Sequence, residues 1–516
     1  MQTEKEYFSS REVRGLRCES VGEYSLPDYN GDVKKVLAVK TKLFPSGKFV
    51  GDESLEFSGT VAYDVVYVDA EGGITHAEFT TDYDAAIRIN AESYVDSDVS
   101  TSVASCNVRL VGPRKFSVKC VLDSDVVISE KRVHRINGDA FMEYEPEYLS
   151  RTARVLSMAF ASSEVREFEE EITSLDGAIA DEVEILLVDA STSVDSFDKS
   201  ESVVTVKGDI RVDMLYRNGD NAAVHSVKTI PYSETLDMEE AEGFEHLVPR
   251  VEITNLKGVL TPTEDGVRLS VLASTVAKVS ATKNSSMALV TDAYLKERGT
   301  ENEYADFNYT EHVCAETCEM RVQASTGLGD VDAEGFEEIL YSDAAARIDS
   351  CEVEGNEVKL KGEVRFSGIA SRANEDSTTS YMPIKFSTLF EENVKLGCQI
   401  TDDMHIDCHI NVSDVMMEID TNRIDASATL CASVSVKAQR RARCLGASYI
   451  TDEEYTKDAC VVTVYYPDSS ENLFGIAKKF HTSTRAIAES NHLTEAVFSS
   501  TTDCLEGLGV DKLLIK

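Results

Sequence analysis

His405-Ile-Asp-Cys408-His409 is the run of side chains best suited to hold a metal. Imidazole and thiolate suit zinc, which needs three or four such ligands converging on one point. On a strand, His405 and His409 share a face and Cys408 points to the other. The run therefore reads as polar strand residues, and no metal is expected. Cys314-Ala-Glu-Thr-Cys318 has one residue too many between its thiols for a thioredoxin-like pair, and reads as two strand positions. Tyr63, Tyr67 and Tyr216 are of a type that stacks on sugars. Their apolar-face register makes them core residues instead, with hydroxyls reaching the rim. The sequence contains no GxxxxGK[ST], GxGxxG or GxSxG, so neither a nucleotide cradle nor a nucleophile elbow is expected. Carboxylates are too many to single out a pair without a fold. No catalytic residue and no cofactor is assigned, and the chain is read as a non-enzyme.

What positions these residues is a strand. Leu55–Tyr67 places Leu55, Phe57, Gly59, Val61, Tyr63, Val65 and Tyr67 on one face, and small or charged residues on the other. Period two marks a strand with one face buried. A glycine in the middle of the buried face signals a bulge, a bend or a close backbone approach. The pattern returns at Val204–Tyr216 around Gly208 and at Val358–Ala370 around Gly362. The glycines are 149 and 154 residues apart, a domain-sized period. About sixty residues after each comes another apolar strand, through Phe116, Leu269 and Ile424. Before each lies an apolar approach, from Val33, Asp181 and Glu337, whose pattern fits either a strand or a short helix. Regular strands with polar turns between them predict antiparallel β domains. Breaks are expected near Glu143–Ser150 and Lys283–Ser286. The basic run Lys437-Ala-Gln-Arg440-Arg441-Ala-Arg443 reads as a solvated linker.

The chain has 516 residues, with 51 Lys+Arg against 92 Asp+Glu and a net charge of −41. Such a field repels nucleic acid and anionic lipid, so no nucleic-acid partner is expected. No apolar run reaches the ~18 residues of a membrane span. The opening MQTEKEYFSSREVRG lacks the apolar segment of a secretory signal, which predicts a cytoplasmic protein. Twelve scattered cysteines agree with a reducing compartment.

Past Val461 the period changes. Val462, Val464 and Tyr466 alternate as a short strand, and Asp468-Ser469-Ser470 offers helix caps. Leu473, Ile476, Ala477 and Phe480 form one helical stripe. His481-Thr-Ser483 caps a second helix through Ile487 and Ala488 towards Asn491, and Leu513 and Ile515 alternate as a last strand. These βααβ residues, from Val464-Tyr-Tyr-Pro467 to Lys512-Leu513-Leu514-Ile515, resemble a LysM domain. The resemblance implies a glycan groove made by the first loop and the loop after the second helix. Here that means Pro467, Asp468, Ser469, Ser470, Glu471, Asn472 and Asn491, with Asn491 also read as a helix-end cap. The first loop, Ser469–Phe474, departs from the family's Gly-Asp-Thr-Leu-Trp-like turn, and Glu495–Gly507 is longer than usual.

Leu26-Pro27-Asp28-Tyr29, Phe57-Ser-Gly59-Thr-Val61 and Gly112-Pro113-Arg114-Lys115-Phe116, followed at the chain's end by a LysM-like module, resemble spore-coat morphogenetic proteins of the SipL type. These carry tandem SPOCS domains before LysM. The resemblance predicts SPOCS-like domains at 1–147, 148–287 and 288–445, and a LysM-like domain at 461–516. The expected fold is mainly β: three antiparallel, sandwich-like domains and a small α+β module. The function implied is a non-enzymatic scaffold of endospore envelope assembly, in the mother-cell cytoplasm at the forespore surface. It would bind the spore-coat ATPase scaffold or other morphogenetic proteins. The alternative is a peptidoglycan-binding protein acting through LysM on N-acetylglucosamine glycan.

Overall fold

The computed structural model describes residues 4–28, 30–137, 144–218, 222–375, 378–456, 462–468, 470–493 and 511–516. It is mainly β, with several antiparallel sheets and two short helices near the C-terminus. Repeat 1 holds β1 (Glu4–Ser25), β2 (Val33–Val50), β3 (Ser54–Asp69), β4 (Ile74–Arg88), β5 (Tyr94–Gly112) and β6 (Lys115–Arg135). One sheet runs β2-β3-β4 and the other β1-β6-β5. Repeat 2 holds β7 (Glu147–Ser162), β8 (Arg166–Asp176), β9 (Glu184–Ser200), β10 (Val203–Arg217), β11 (Ala223–Asp237), β12 (His246–Pro262) and β13 (Gly266–Tyr294). Its β9-β10-β11 sheet faces one in which β13 is flanked by β12 and by the split pair β7 and β8. Repeat 3 holds β14 (Arg298–Gly327), β15 (Glu338–Glu354), β16 (Glu357–Ala373), β17 (Thr379–Lys395), β18 (Met404–Asp420) and β19 (Arg423–Glu454), ordered β15-β16-β17 and β14-β19-β18. All three ambiguous approaches are strands, β2, β9 and β15.

Each glycine strand is the middle of its sheet, and each second landmark is the middle of the facing sheet. Phe116, Leu269 and Ile424 are fully buried there. Burying side chains of this size contributes about 1.5–3 kcal/mol each, which is why the period-two faces meet. The glycine serves the same steric purpose three times. Gly59 lies opposite Tyr83, Gly208 opposite Tyr232 and Gly362 opposite Phe390. A Cβ on Gly208 would stand 2.0 Å from the Ser193 carbonyl oxygen and 2.8 Å from the Tyr232 hydroxyl. On Gly362 it would stand 2.1 Å from the Arg347 carbonyl oxygen and 2.6 Å from the Phe390 ring. The approaching carbonyl belongs to the neighbouring edge strand, which bulges at this level in all three repeats. The glycine thus makes room for an aromatic ring on one side and a bulged backbone on the other.

Two expected breaks are strand interior. Lys283–Ser286 and the 287/288 boundary lie within β13, which runs on to Tyr294. Lys437–Arg443 and residue 445 lie within β19. Both lie where a long strand runs past one neighbour: β13 beyond Thr282 pairs with β7 alone, and β19 beyond Ala438 pairs with β14 alone.

The three repeats close into a ring. The last strand of each glycine sheet contacts the first strand of the next: β4 meets β9, β11 meets β15, and β17 meets β2. Equivalent residues therefore converge on a pseudo-threefold axis. Val66, Leu215 and Ile369 each lie seven residues after their glycine, and Leu37, Leu186 and Leu340 each lie twenty-two before it. All six belong to one apolar cluster shared by the three repeats.

Candidate functional sites

Below that apolar cluster the axis turns polar. Lys40, Asp189 and Asp343 occupy one repeat position, nineteen residues before Gly59, Gly208 and Gly362. Lys40 Nζ lies 2.6 Å from Asp189 Oδ2 and 3.1 Å from Asp343 Oδ1. Burial opposes the lysine's charge, but the two carboxylates, with Tyr341 beside them, hold its pKa well above the ordinary value. Five residues after their glycines, Asp64 and Asp213 extend the pattern. Asp64 binds Lys42 at 2.6 Å, and Asp213 binds Arg211 and His225, each at 3.0 Å. Burial raises the Asp64 carboxyl despite Lys42.

The axis opens into a cavity of about 1300 Å³, lined by β2, β5, β9, β12, β15 and β18 together with the outward face of β3. Six of these strands are sheet edges. Across its repeat 1–repeat 2 wall, Arg250 makes a two-pronged bond to Asp98, at 2.7 and 2.5 Å, and Ser280 adds a third contact at 3.0 Å. Period and spacing did not reveal this site. Its members sit at equivalent positions but differ in type, so the repeat signal skips them.

The His405–His409 run is a joint between repeats. His405 is 62% exposed and lies 3.0 Å from Asp407, while His409 is exposed. Asp407 itself is buried against repeat 1, 2.5 Å from Arg14 and 3.1 Å from Lys437. Burial would raise its carboxyl, but Arg14 and Lys437 outweigh that and lower it. Cys408 packs towards the core of repeat 3, as do Cys314 and Cys318. Among the described residues, no group of three or more His, Cys, Asp or Glu could hold a metal ion. Tyr63, Tyr67 and Tyr216 are buried. The Tyr63 hydroxyl lies 3.3 Å from Ser20, and the Tyr67 hydroxyl accepts from Asn30 at 3.2 Å. The basic run is likewise engaged. Lys437 reaches Glu12 and Asp407, Arg440 reaches Glu311 and Asp403, Arg441 reaches Asp306, and Arg443 lies over the Tyr304 ring.

The C-terminal module has β20 (Thr463–Tyr465), α1 (Leu473–Lys479), α2 (Thr484–Ser490) and β21 (Leu513–Ile515), with β20 and β21 antiparallel. Leu473, Phe474, Ile476, Ala477, Ile487, Leu513 and Ile515 form its core, and Tyr294 of β13 enters that core. The Tyr294 hydroxyl donates to the Thr482 carbonyl at 2.6 Å, and its ring meets Phe474 edge-on at 5.1 Å. Lys478 binds both Asp292 oxygens, at 2.8 and 2.7 Å. The module is therefore fastened to the end of repeat 2.

Its expected groove residues divide. Asn472, rather than Asp468–Ser470, caps α1: its side-chain oxygen accepts from the Gly475 N–H at 2.8 Å. Ser483 caps α2 as expected. Glu471 accepts from the Tyr465 hydroxyl at 2.8 Å and the Asp468 N–H at 2.9 Å. Asn491 ends α2 and pins β21, donating to Ile487 and Leu514 carbonyls and accepting from the Leu514 N–H at 2.6 Å. Asp468 and Ser470 are exposed and Pro467 is half-buried. Ser469, the whole Glu495–Gly507 loop, Cys460 and Cys504 lie outside the described residues. The alternating Val462, Val464 and Tyr466 face outward, 54%, 51% and 69% exposed, with Leu514 beside Val464 on the same ribbon.

No protein-family model, curated protein or solved structure matches the chain.

Proposed function

We propose that the protein is a non-enzymatic scaffold of the endospore envelope, acting in the mother-cell cytoplasm at the forespore surface. In this reading it binds the spore-coat ATPase scaffold or other morphogenetic proteins through its β repeats and its LysM-like tail. The order of modules, three β repeats and then βααβ, is the sequence support. The carrying observation is the division of polarity on the tail. Glu471, Asn472 and Asn491 spend their polar atoms inside the module, while an apolar ribbon of Val462, Val464, Tyr466 and Leu514 stands in solvent. Sugar hydroxyls need free hydrogen-bonding groups, whereas an exposed apolar face suits protein.

Capture of purified coat ATPase by the full-length chain tests this reading. A Val464→Arg variant is expected to recover far less ATPase at unchanged stability, and equal recovery by both proteins sinks docking through the tail. Exposed Asp468 and Ser470 leave one polar patch for the glycan reading. Sedimentation with insoluble peptidoglycan, lost on Asp468→Ala, would favour it.

A further inference from the structure

The sandwich of repeat 3 has two sides at which its sheets meet edge to edge: β15 faces β18, and β17 faces β14. Each side carries two cysteines, one from either sheet. On the first, the thiol of Cys351 on β15 meets that of Cys408 on β18. On the second, the thiol of Cys314 on β14 meets that of Cys398, three residues past the end of β17. Cys314, Cys398 and Cys408 pack on the repeat's apolar core, and Cys351 is exposed. The partners are 57 and 84 residues apart in the chain, so spacing does not show either pair.

Repeat 1 marks these positions as joints between sheets. Cys351 lies opposite Leu360 and Lys48 opposite Phe57, and both of those partners stand two residues before their glycine. Lys48 reaches across its side to Asp96 at 2.6 Å. Cys314 lies opposite Val436 and Arg11 opposite Ile128, twelve residues after Ile424 and Phe116 respectively. Arg11 reaches across to the Arg88 carbonyl of β4 at 2.7 Å. Where repeat 1 ties its sheets with cations, repeat 3 places thiols on both sides. Cys106 and Cys120 also meet, directly opposite each other on β5 and β6. A bridge there would only join strands that are already hydrogen-bonded.

We infer that Cys351 with Cys408, and Cys314 with Cys398, are two disulfide-forming sites that clamp the sheets of repeat 3 together from both sides when a small-molecule disulfide is present. The inference goes beyond the scaffold reading and does not depend on it. The exchange begins at the exposed Cys351. Its thiolate attacks one sulfur of the small disulfide and expels a thiolate, leaving a mixed disulfide. Burial pushes the Cys408 thiol up, so Cys408 acts second, from beside the new bond. Its thiolate attacks the Cys351 sulfur and expels the second small thiolate. The two protons lost by the cysteines pass to the two small thiols released. Two protein thiols are oxidised and one small disulfide is reduced. Cys398 and Cys314 follow the same steps. In a reducing compartment both pairs stay open.

Oxidised glutathione is the probe. The full-length chain is reduced, incubated with it, unfolded, alkylated and digested, and bridged peptides are read by mass spectrometry. The two named bridges are expected to dominate every other pairing of these four cysteines, and to vanish on adding dithiothreitol. Cys351→Ser is expected to lose the first bridge and keep the second, and Cys314→Ser the converse. Hydrogen exchange of β16 is expected to slow by about thirtyfold or more on oxidation, because each bridge constrains the unfolded chain. The variant carrying both substitutions should show no such slowing. Glutathione retained on Cys351 as a mixed disulfide, a scrambled set of bridges, or unchanged exchange in the bridged chain overturns the inference.

Discussion

Lys40 Nζ and Asp189 Oδ2 stand 2.6 Å apart at the same position of two different repeats. With Asp343 they place one cation between two anions on the axis. Lys40→Asp would gather three carboxylates there. It is expected to cost about 3 kcal/mol of unfolding free energy, the scale of breaking an enclosed pair. Adding Asp189→Lys restores one cation and two anions, and should recover most of the loss in denaturant titrations. If the double variant is no better than the single, charge matching on the axis is not what holds it.

Gly208→Ala tests the shared steric role of the glycines. The added Cβ meets the Ser193 carbonyl at 2.0 Å, and backbone cannot swing aside as a side chain can. A loss of about 1–3 kcal/mol is expected from overpacking. Gly72→Ala makes a useful contrast: nothing lies within 4 Å of its Cβ, and its cost comes only from a left-handed backbone with φ of 92°. Thermal midpoints of the two variants distinguish steric from conformational cost.

Asp98 sets an acid limit. Burial would raise its carboxyl, but the bonds and charge of Arg250 prevail and hold it below the ordinary value. A folded pKa below the unfolded one contributes stability above the unfolded value, about 3.9, and that stability is lost as pH falls through the folded one. Asp98→Asn should therefore be about 2 kcal/mol less stable at pH 7. It should also show a shallower loss than the native chain between about pH 4 and pH 2. Urea midpoints across that range provide the measurement, and parallel curves would contradict the assignment.

Tyr294 fastens the C-terminal module. Tyr294→Ala removes a buried ring and the bond to Thr482, worth about 3–5 kcal/mol at a packed site. The loss should fall on the module's attachment. Limited proteolysis ahead of β20 is expected to accelerate, while amides of β10 and β16 keep their protection. Tyr294→Phe, which keeps the ring, should show a much smaller change.

The glycine strands were legible because a half-buried strand writes its burial into every second residue. Gly59, Gly208 and Gly362 announced a bulge or close approach by standing where an apolar side chain belonged. The joints between repeats left no such mark. Lys40, Asp189 and Asp343 share a position but not a residue type, and a charge within an amphipathic strand reads as its wet face. Lys283–Ser286 looked like a break because polar residues in a strand that crosses from one partner to another imitate a turn. In the C-terminal module, alternation located β20 but did not say which face it buries. A three-residue ribbon is covered by helices on one side, and Val462 and Val464 point away from them. Asn472 was placed in a groove by resemblance, and the first free N–H groups of α1 claim its side chain instead.

The ring has a consequence for how such a molecule can differ from an assembly of identical parts. Three copies of one subunit around a true threefold must present the same residue three times, so an axis of one lysine and two aspartates is closed to them. Joining the copies in a single polypeptide lifts that constraint. One copy is free to place thiols between its sheets, a second to carry the tail, and each to drift in surface character, while the shared frame keeps them in register.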